Sequence, residues 1–415
     1  MSDLPMDAEG DGLDPEVAAG HTQRVAWYHR MGPWLGVATG PGIYILGGNL
    51  AAHLPPLALA LVIPLGTLAL TSLILLNGIA SRRRREYLVA AVHRTLGRGL
   101  GARLLNLVMA LSLIGWFSFY SGLSGFSLAN LFGLPGWAGS LLLVASMFLL
   151  SEVGLTRWNA LVWVTTLAAL ASAIIALLIV SPDPQPAAEG VTGAGPLLWG
   201  IGSVIAYSIV FAVRCGDFTW DLESDREVLK SGAVFFITVV IALLVGVALY
   251  RRTGEANLAQ LLAQSESAVT TLLGHIFLVL AAISPSLSNV YSGAYALRGV
   301  APIPLRLAGL IIVVVGFILG ANRFDLQLIQ FLDWMGTVLP AVLVVLLASA
   351  VLPRKPPPGV AVAAWLAGSL ATFLLKRTGV EAYVLVGMVF SLGGLVGLNF
   401  LVRNARLAPG ALPSE

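Results

Sequence analysis

Long runs of apolar residues recur along almost the whole chain, between residues 33 and 402. A helix needs ~20 mostly apolar residues to cross the hydrocarbon of a bilayer. Proline and glycine separate the runs, as in His53-Leu54-Pro55-Pro56 and Pro356-Pro357-Pro358-Gly359, and these residues favour turns. We therefore predict about twelve membrane helices, at 33–53, 56–80, 101–131, 135–153, 157–181, 196–216, 231–250, 267–296, 304–320, 326–350, 359–376 and 381–402.

The composition agrees with this pattern and excludes several classes of protein. Of the 415 residues, 57% are hydrophobic and 11% are charged, whereas ~25% are charged in a typical soluble domain. So few charges do not cover a soluble surface, which excludes a soluble enzyme, a disordered chain and a nucleic-acid-binding protein. The single cysteine, Cys215, excludes a disulfide framework and a cysteine-built metal site.

The charged residues indicate how the chain is oriented. Residues 1–30 carry acidic residues before any Lys or Arg and lack the pattern of a signal peptide, so we predict a disordered N-terminal tail there. With this tail inside, 19 of the 24 Lys and Arg, Arg214 among them, fall on the inner side and 5 on the outer side. Since basic residues concentrate in cytoplasmic loops, we predict a multi-pass cell-membrane protein with both termini cytoplasmic, the C-terminal tail being 403–415. The segment from Arg82 to Arg103 has the spacing of an amphipathic helix at the membrane interface.

The first span contains Gly40-Pro41-Gly42 near its middle. Proline removes a backbone donor and clashes with the preceding turn, so this span is predicted to break there. Such a break lines a cavity or binds an ion or substrate in many transporters, and a packed proline kink is the alternative.

Two further spans carry polar or aromatic groups away from their ends. Trp116 and Tyr120 lie four residues apart on one face of the third span, where they stack on a flat ligand or pack against other helices. Tyr207 and Ser208 lie among small residues in the sixth span, with only a weak signal for a break.

The eighth span is rich in hydroxyl groups, with Ser284, Ser286, Ser288, Asn289 and Ser292. Hydroxyl and amide oxygens suit a hard cation such as Na⁺, and hydrogen bonding between helices is the alternative.

Asp333 is the main acidic residue within a span. An intramembrane carboxylate suggests proton coupling, and the alternative is a position at the outer interface beside Arg323. The other chemistry within the spans is uncharged, which favours a neutral planar solute.

Several of these motifs resemble the nucleobase:cation symporter-1 family, which includes cytosine permeases and hydantoin, allantoin and uracil transporters. The similar stretches cover roughly residues 30–405: Gly115-Trp116-Phe117, Asp217-Phe218, Ser288-Asn289-Val290-Tyr291-Ser292-Gly293 and Leu339-Pro340. The sequence departs from the family at Trp220, where an Arg is usual, and at Leu287, where a second hydroxyl is common.

The resemblance implies an all-α LeuT-type fold with two inverted repeats of five helices plus two C-terminal helices. The repeats would be 31–181 and 196–350 and the appended helices 359–402, within a single domain spanning 31–402. It implies a substrate site that includes Trp116, Tyr120, Gly42, Tyr207, Ser208, Asn289 and Ser292. It implies a cation site that includes Gly40, Pro41, Ser286 and Ser288.

We therefore expect a symporter that imports a small planar nitrogen heterocycle, such as a nucleobase, with Na⁺ or H⁺. We expect no other cofactor, no enzymatic activity and no nucleic-acid partner; a monomer is compatible with the sequence. An amino-acid permease of the same superfamily and a non-transporting receptor or scaffold are the alternatives.

Overall fold

The computed structural model describes residues 24–151, 155–179, 193–263 and 268–407. Apolar runs and helix-forming residues give sixteen α-helices in this part of the chain. They are α1 Met31–Thr39, α2 Gly42–His53, α3 Pro56–Arg84, α4 Leu88–Leu96, α5 Leu100–Phe132, α6 Gly136–Ser151, α7 Leu155–Ile179, α8 Ala194–Arg214, α9 Asp225–Thr253, α10 Leu258–Ala263, α11 Ala268–Ala281, α12 Ile283–Arg298, α13 Leu305–Ala321, α14 Leu328–Val351, α15 Pro358–Arg377 and α16 Tyr383–Leu407.

The helices account for the twelve predicted spans. Among the described residues, eight helices are long and apolar enough to cross a membrane by length and composition, and three shorter apolar helices are Gly136–Leu150, Val164–Leu178 and Leu305–Ala321. The remaining span is the first, which α1 and α2 form together with a break at Gly40 and Pro41. The predicted break in this span is therefore confirmed.

The eighth span differs from the single helix predicted at 267–296. It consists of α11 and α12, which meet at Ala282. Pro285 explains the interruption, because proline has no N–H to donate to the carbonyl of Ala281 one turn earlier.

Residues 24–30 belong to the folded domain and not to a disordered tail, which corrects the expectation for this part of 1–30. The amide of Val25 donates to the carbonyl of Asp221 (3.1 Å), and Arg30 forms an ion pair with the carboxylate of Asp221. The amide of Trp27 donates to a carboxylate oxygen of Glu227 (3.1 Å).

Residues 1–23 lie outside the described residues, as does the C-terminal tail beyond residue 407.

The amphipathic segment between Arg82 and Arg103 contains the short helix α4. Its apolar face buries Leu88, Val92 and Leu96, and it packs against α5, α14 and α15. This helix therefore connects the third span to the tenth and eleventh.

The helix pairs repeat with an offset of five spans. The first span packs through α2 on α9, the seventh span, and the sixth span (α8) packs on α3, the second. The fifth span (α7) packs on α1, and the tenth (α14) packs on α8. Exchanging each span for the one five places away in the other repeat (1 with 6, 2 with 7, 5 with 10) converts one pair into the other, as expected for an inverted repeat of five helices.

Glycines allow the first repeat to approach the second closely. A methyl group at Gly47 would overlap the backbone of Leu243, and one at Gly246 would overlap the backbone of Tyr44. Small residues at helix contacts are common in membrane proteins, because association there depends on close van der Waals packing.

Candidate functional site

A small cavity lies between α5, α8, α12 and the first span just before its break. Its lining residues are Val37, Trp116, Tyr120, Tyr207, Val210, Phe211, Arg214, Pro285 and Asn289. The space open to the centre of a water molecule is about 20 Å³, which is enough for a water but not for a heterocyclic ring. The lining elements must therefore move apart before such a ring could bind.

Aromatic rings form one wall of this cavity. The rings of Trp116 and Tyr120 are nearly parallel, at 26° with centroids 6.1 Å apart, as the one-turn spacing on α5 allows. The ring of Tyr207 meets Trp116 edge-on at 5.3 Å, and Phe331 does so at 5.7 Å. Three of the residues expected at the substrate site are thus brought together, although they come from two different spans.

Arg214 provides the cavity with a buried positive charge. Its guanidinium donates to the Ser288 carbonyl (2.7 Å) and hydroxyl (2.8 Å) and to Oδ1 of Asn289 (3.0 Å). Its Nε has no hydrogen-bond partner among the described residues, and no described carboxylate lies within 4.0 Å of it. The guanidinium carbon also lies 5.5 Å from the centroid of the Phe218 ring, close enough for a cation–π contact.

Arg214 is not among the site residues predicted from the sequence, and its predicted place among the charges of the inner loops is wrong. It is 2% exposed, because α8 continues into a 3-10 helix, Cys215–Phe218, and does not end in a hydrophilic loop. The one available signal was the sequence following it: Cys215-Gly216-Asp217-Phe218 is too apolar for a membrane-exit loop.

Asp217 lies one turn beyond Arg214 and joins three elements. One carboxylate oxygen accepts a hydrogen bond from the Leu88 amide at the start of α4 (2.9 Å), and the other accepts from the Ser292 hydroxyl (2.8 Å). Ser292, expected at the substrate site, therefore points to Asp217, and it does not line the cavity.

The sixth span, for which the sequence gives only a weak signal of a break, is broken at Ser208. Its backbone angles (φ −113°, ψ 19°) depart from the helical values on either side. Its side chain is buried and its hydroxyl has no hydrogen-bond partner in the described part of the chain. The first and sixth spans are thus both discontinuous near the cavity.

The residues of the expected cation site are not brought together by direct contacts. The carbonyl of Gly40 accepts from the amide of Ile43 (3.0 Å) and lies 3.5 Å from the hydroxyl of Tyr207. Pro41 precedes α2, and Ser286 is buried within α12 without lining the cavity. The oxygens of Ser288 are hydrogen-bonded to Arg214.

Gly42, expected at the substrate site, is a packing residue in this structure. A methyl group there would lie 3.1 Å from the ring of Phe119 and 3.3 Å from Leu328. Gly42 therefore packs against Phe119 and Leu328, and it does not line the cavity.

Asp333, the expected proton-coupling residue, lies outside the cavity. It accepts a hydrogen bond from the Tyr383 hydroxyl (2.9 Å) and pairs with Nζ of Lys376 (3.1 Å), with 37% of its side chain exposed. The ion-pair partner of Asp333 is thus Lys376. Arg323, the neighbour suggested by the sequence, pairs instead with the buried Asp325.

The discontinuous first and sixth spans, the offset helix pairs and the cavity between them are the features of the LeuT-type fold. The structure is similar to that of Mhp1, a nucleobase-cation-symport-1 family transporter, in a closed conformation with bromovinylhydantoin bound, with a TM-score of 0.75 and 16% identity over 92% of this chain and 95% of that chain. It is also similar to inward-facing Mhp1, with a TM-score of 0.74 and 15% identity over 95% of this chain and 94% of that one. A Na⁺-coupled sialic acid symporter in a substrate-bound outward-open state has a TM-score of 0.66 and 11% identity, over 92% of this chain and 91% of that chain.

No family model matches the chain, and no curated protein matches it in sequence. The structural likeness confirms the all-α LeuT-type fold that the sequence motifs implied.

Proposed function

We propose that this protein is a secondary active transporter in the cell membrane that imports a small planar nitrogen heterocycle. The observation that carries the proposal is the nearly parallel pair Trp116 and Tyr120 on one wall of a small cavity lined by two broken spans. A flat heterocycle gains stacking energy on such rings. Access from either side of the membrane then follows from movement of the two repeats around this midpoint.

The buried guanidinium of Arg214 changes the expected chemistry of the solute. A buried charge is unfavourable unless other groups compensate it, and Asp217 interacts with the guanidinium only from beyond ion-pair distance. A heterocycle with carbonyl oxygens or delocalised negative charge would supply this compensation, so we favour such solutes over the purely neutral ones suggested by the sequence.

Uptake into proteoliposomes tests this proposal. Labelled purines, pyrimidines and hydantoins are compared, with protein-free liposomes as the control. We expect uptake of one of these classes to saturate and to be blocked by unlabelled solute. An absence of both uptake and binding across the panel would exclude the proposed substrate class.

An amino-acid permease is the second candidate, and Arg214 favours it because guanidinium groups pair well with carboxylates. Aromatic amino acids added to the same uptake panel separate the two. Competition by a free carboxylate compound, without competition by uncharged heterocycles, would indicate the amino-acid permease.

The coupling ion in the proposal is Na⁺ or H⁺, and both termini lie in the cytoplasm. A receptor or scaffold of the same fold would bind solute without flux. Binding to purified protein combined with a lack of uptake down an imposed gradient would indicate that class.

A further inference from the structure

We propose that the guanidinium of Arg214 is a built-in cation that takes the place of a coupling Na⁺ at Ser288, so that substrate binding does not require Na⁺. This inference deepens the proposed transport function and rests on it for its consequence on uptake.

The hydrogen bonds of Arg214 are the geometric basis of the proposal. Sodium binds through oxygen atoms, and Ser288 offers two of them in the eighth span. Both are engaged by the guanidinium, the carbonyl by one terminal nitrogen (2.7 Å) and the hydroxyl by the other (2.8 Å). A side chain of this protein thus already meets the acceptor groups that a Na⁺ ion would use.

The neighbouring acceptor is engaged in the same way. Oδ1 of Asn289 accepts from the nitrogen that also binds the Ser288 hydroxyl (3.0 Å). The guanidinium therefore satisfies three oxygens of two adjacent residues, and its planar fork suits such a set of acceptors.

Electrostatics opposes a second cation at this position. A Na⁺ ion bound to the Ser288 oxygens would lie next to the guanidinium and repel it, and this repulsion is poorly screened away from water. No described carboxylate lies within 4.0 Å of Arg214, and Asp217, which interacts with the guanidinium from farther away, carries a single negative charge already hydrogen-bonded to Leu88 and Ser292. The residues present at Ser288 therefore do not fit Na⁺.

An arginine differs from a bound ion because it stays in place. Its guanidinium remains protonated in proteins, so its charge persists throughout a transport cycle and is not released with the solute. A Na⁺ gradient consequently has no ion to drive through this position.

Arg214 is anchored for this role by its own element. The 3-10 helix Cys215–Phe218 continues α8 without a loop, and Asp217 in it bonds to Leu88 and Ser292. The aromatic rings of Phe211 and Phe218 lie 6.0 and 5.5 Å from the guanidinium carbon. These contacts hold the charge at the cavity.

Binding of radioactive ²²Na⁺ to the purified wild-type protein, without substrate, tests the inference directly. We expect no saturable binding, and we expect the same thermal midpoint in NaCl as in choline chloride, since an ion that does not bind the folded state adds no stability. Saturable ²²Na⁺ binding by the wild-type protein would overturn the inference, whatever the result of the uptake panel.

Variants of Arg214 provide a test in which Na⁺ binding is expected to appear. Arg214→Ala removes the charge and frees the Ser288 oxygens, so we expect this variant to gain Na⁺-dependent stabilisation, and Arg214→Ala/Ser288→Ala to lose that gain. Arg83→Ala, which removes an exposed arginine, is the control for loss of one positive charge. If Arg214→Ala does not fold, the wild-type measurement still decides.

Uptake then connects the ion to the solute. If a solute from the panel is transported, we expect its uptake by the wild-type protein to be unchanged when Na⁺ is replaced by choline. Uptake that collapses in choline would overturn the inference while leaving the transport function intact. Failure of every solute would instead count against the proposed function, and the ²²Na⁺ result would stand independently.

Discussion

The carboxylate of Asp217 accepts a hydrogen bond from the hydroxyl of Ser292 at 2.8 Å. The two residues lie on the sixth and eighth spans, and the other oxygen of Asp217 holds the amide of Leu88 at 2.9 Å. One side chain thereby joins two spans of the second repeat to the short helix α4, which lies in the first repeat. Any motion that separates these spans must break at least one of these bonds.

This junction predicts that Asp217→Ala destabilises the protein. The variant leaves the buried amide of Leu88 without a partner, and an unsatisfied buried donor costs about 1–3 kcal/mol. We expect a lower thermal midpoint for the purified protein, measured by intrinsic fluorescence. Ser292→Ala removes one of the two bonds and should give a smaller decrease; an unchanged midpoint in Asp217→Ala would show that the junction is not stabilising.

Trp116→Ala is expected to weaken solute binding. Stacking of a base on an aromatic side chain contributes about 1–3 kcal/mol, so we expect a loss of affinity of about tenfold or more. Trp116→Phe should retain part of the affinity because a smaller ring remains. The measurement is a binding titration with the transported solute, and Trp137→Ala, which removes an exposed tryptophan, is the control. Equal affinities for Trp116→Ala and the wild type would exclude a stacking site.

A glycine at the break of the first span sets the position of Tyr120. A methyl carbon at position 40 would overlap the hydroxyl oxygen of Tyr120. The ring carbon that carries this hydroxyl, Cζ, would lie 3.3 Å from the methyl carbon. We therefore expect Gly40→Ala to impair uptake and the double variant Gly40→Ala/Tyr120→Phe to recover part of it.

Gly393→Ala is the matched control for this pair, because a methyl group there meets no atom within 4 Å. Uptake and thermal midpoint are measured for the wild type and for four variants: Gly40→Ala, Tyr120→Phe, the double variant and Gly393→Ala. Tyr120→Phe alone could abolish uptake because the hydroxyl is needed for transport. In that case the thermal midpoints test the overlap, because the double variant should be more stable than Gly40→Ala. A double variant no more stable than Gly40→Ala would contradict the proposed overlap.

The features that could be predicted from the sequence are those whose physical cause lies in a few neighbouring residues. Proline between two glycines favours a kink or break in a helix because of its local geometry, so the division at Gly40 and Pro41 could be predicted without a structure. A tryptophan in mid-span needs a special environment, so Trp116 could be proposed for the site in the same way.

Arg214 could not be predicted in this way, because its position depends on distant contacts. A basic residue after a long apolar run has the same sequence pattern as a topology signal at the cytoplasmic face. Only the return of the eighth span, 74 residues later, supplies the oxygens of Ser288 that hold the guanidinium inside. The same holds for Ser292, whose partner Asp217 is 75 residues away.

For Asp333, we predict that substitution has little effect on transport or stability. Its side chain is 37% exposed and paired with Lys376, and exposed ion pairs contribute at most about 1 kcal/mol. A group that carries a proton with the solute must exchange between the cavity and both sides, and Asp333 lies away from the cavity lining. We therefore expect Asp333→Asn to retain uptake driven by a pH gradient, with a nearly unchanged thermal midpoint. Uptake is measured at two pH values with and without an imposed gradient, alongside solute binding. If Asp333→Asn binds solute normally but loses the response to the gradient, proton coupling at this carboxylate would be established despite its distance from the cavity.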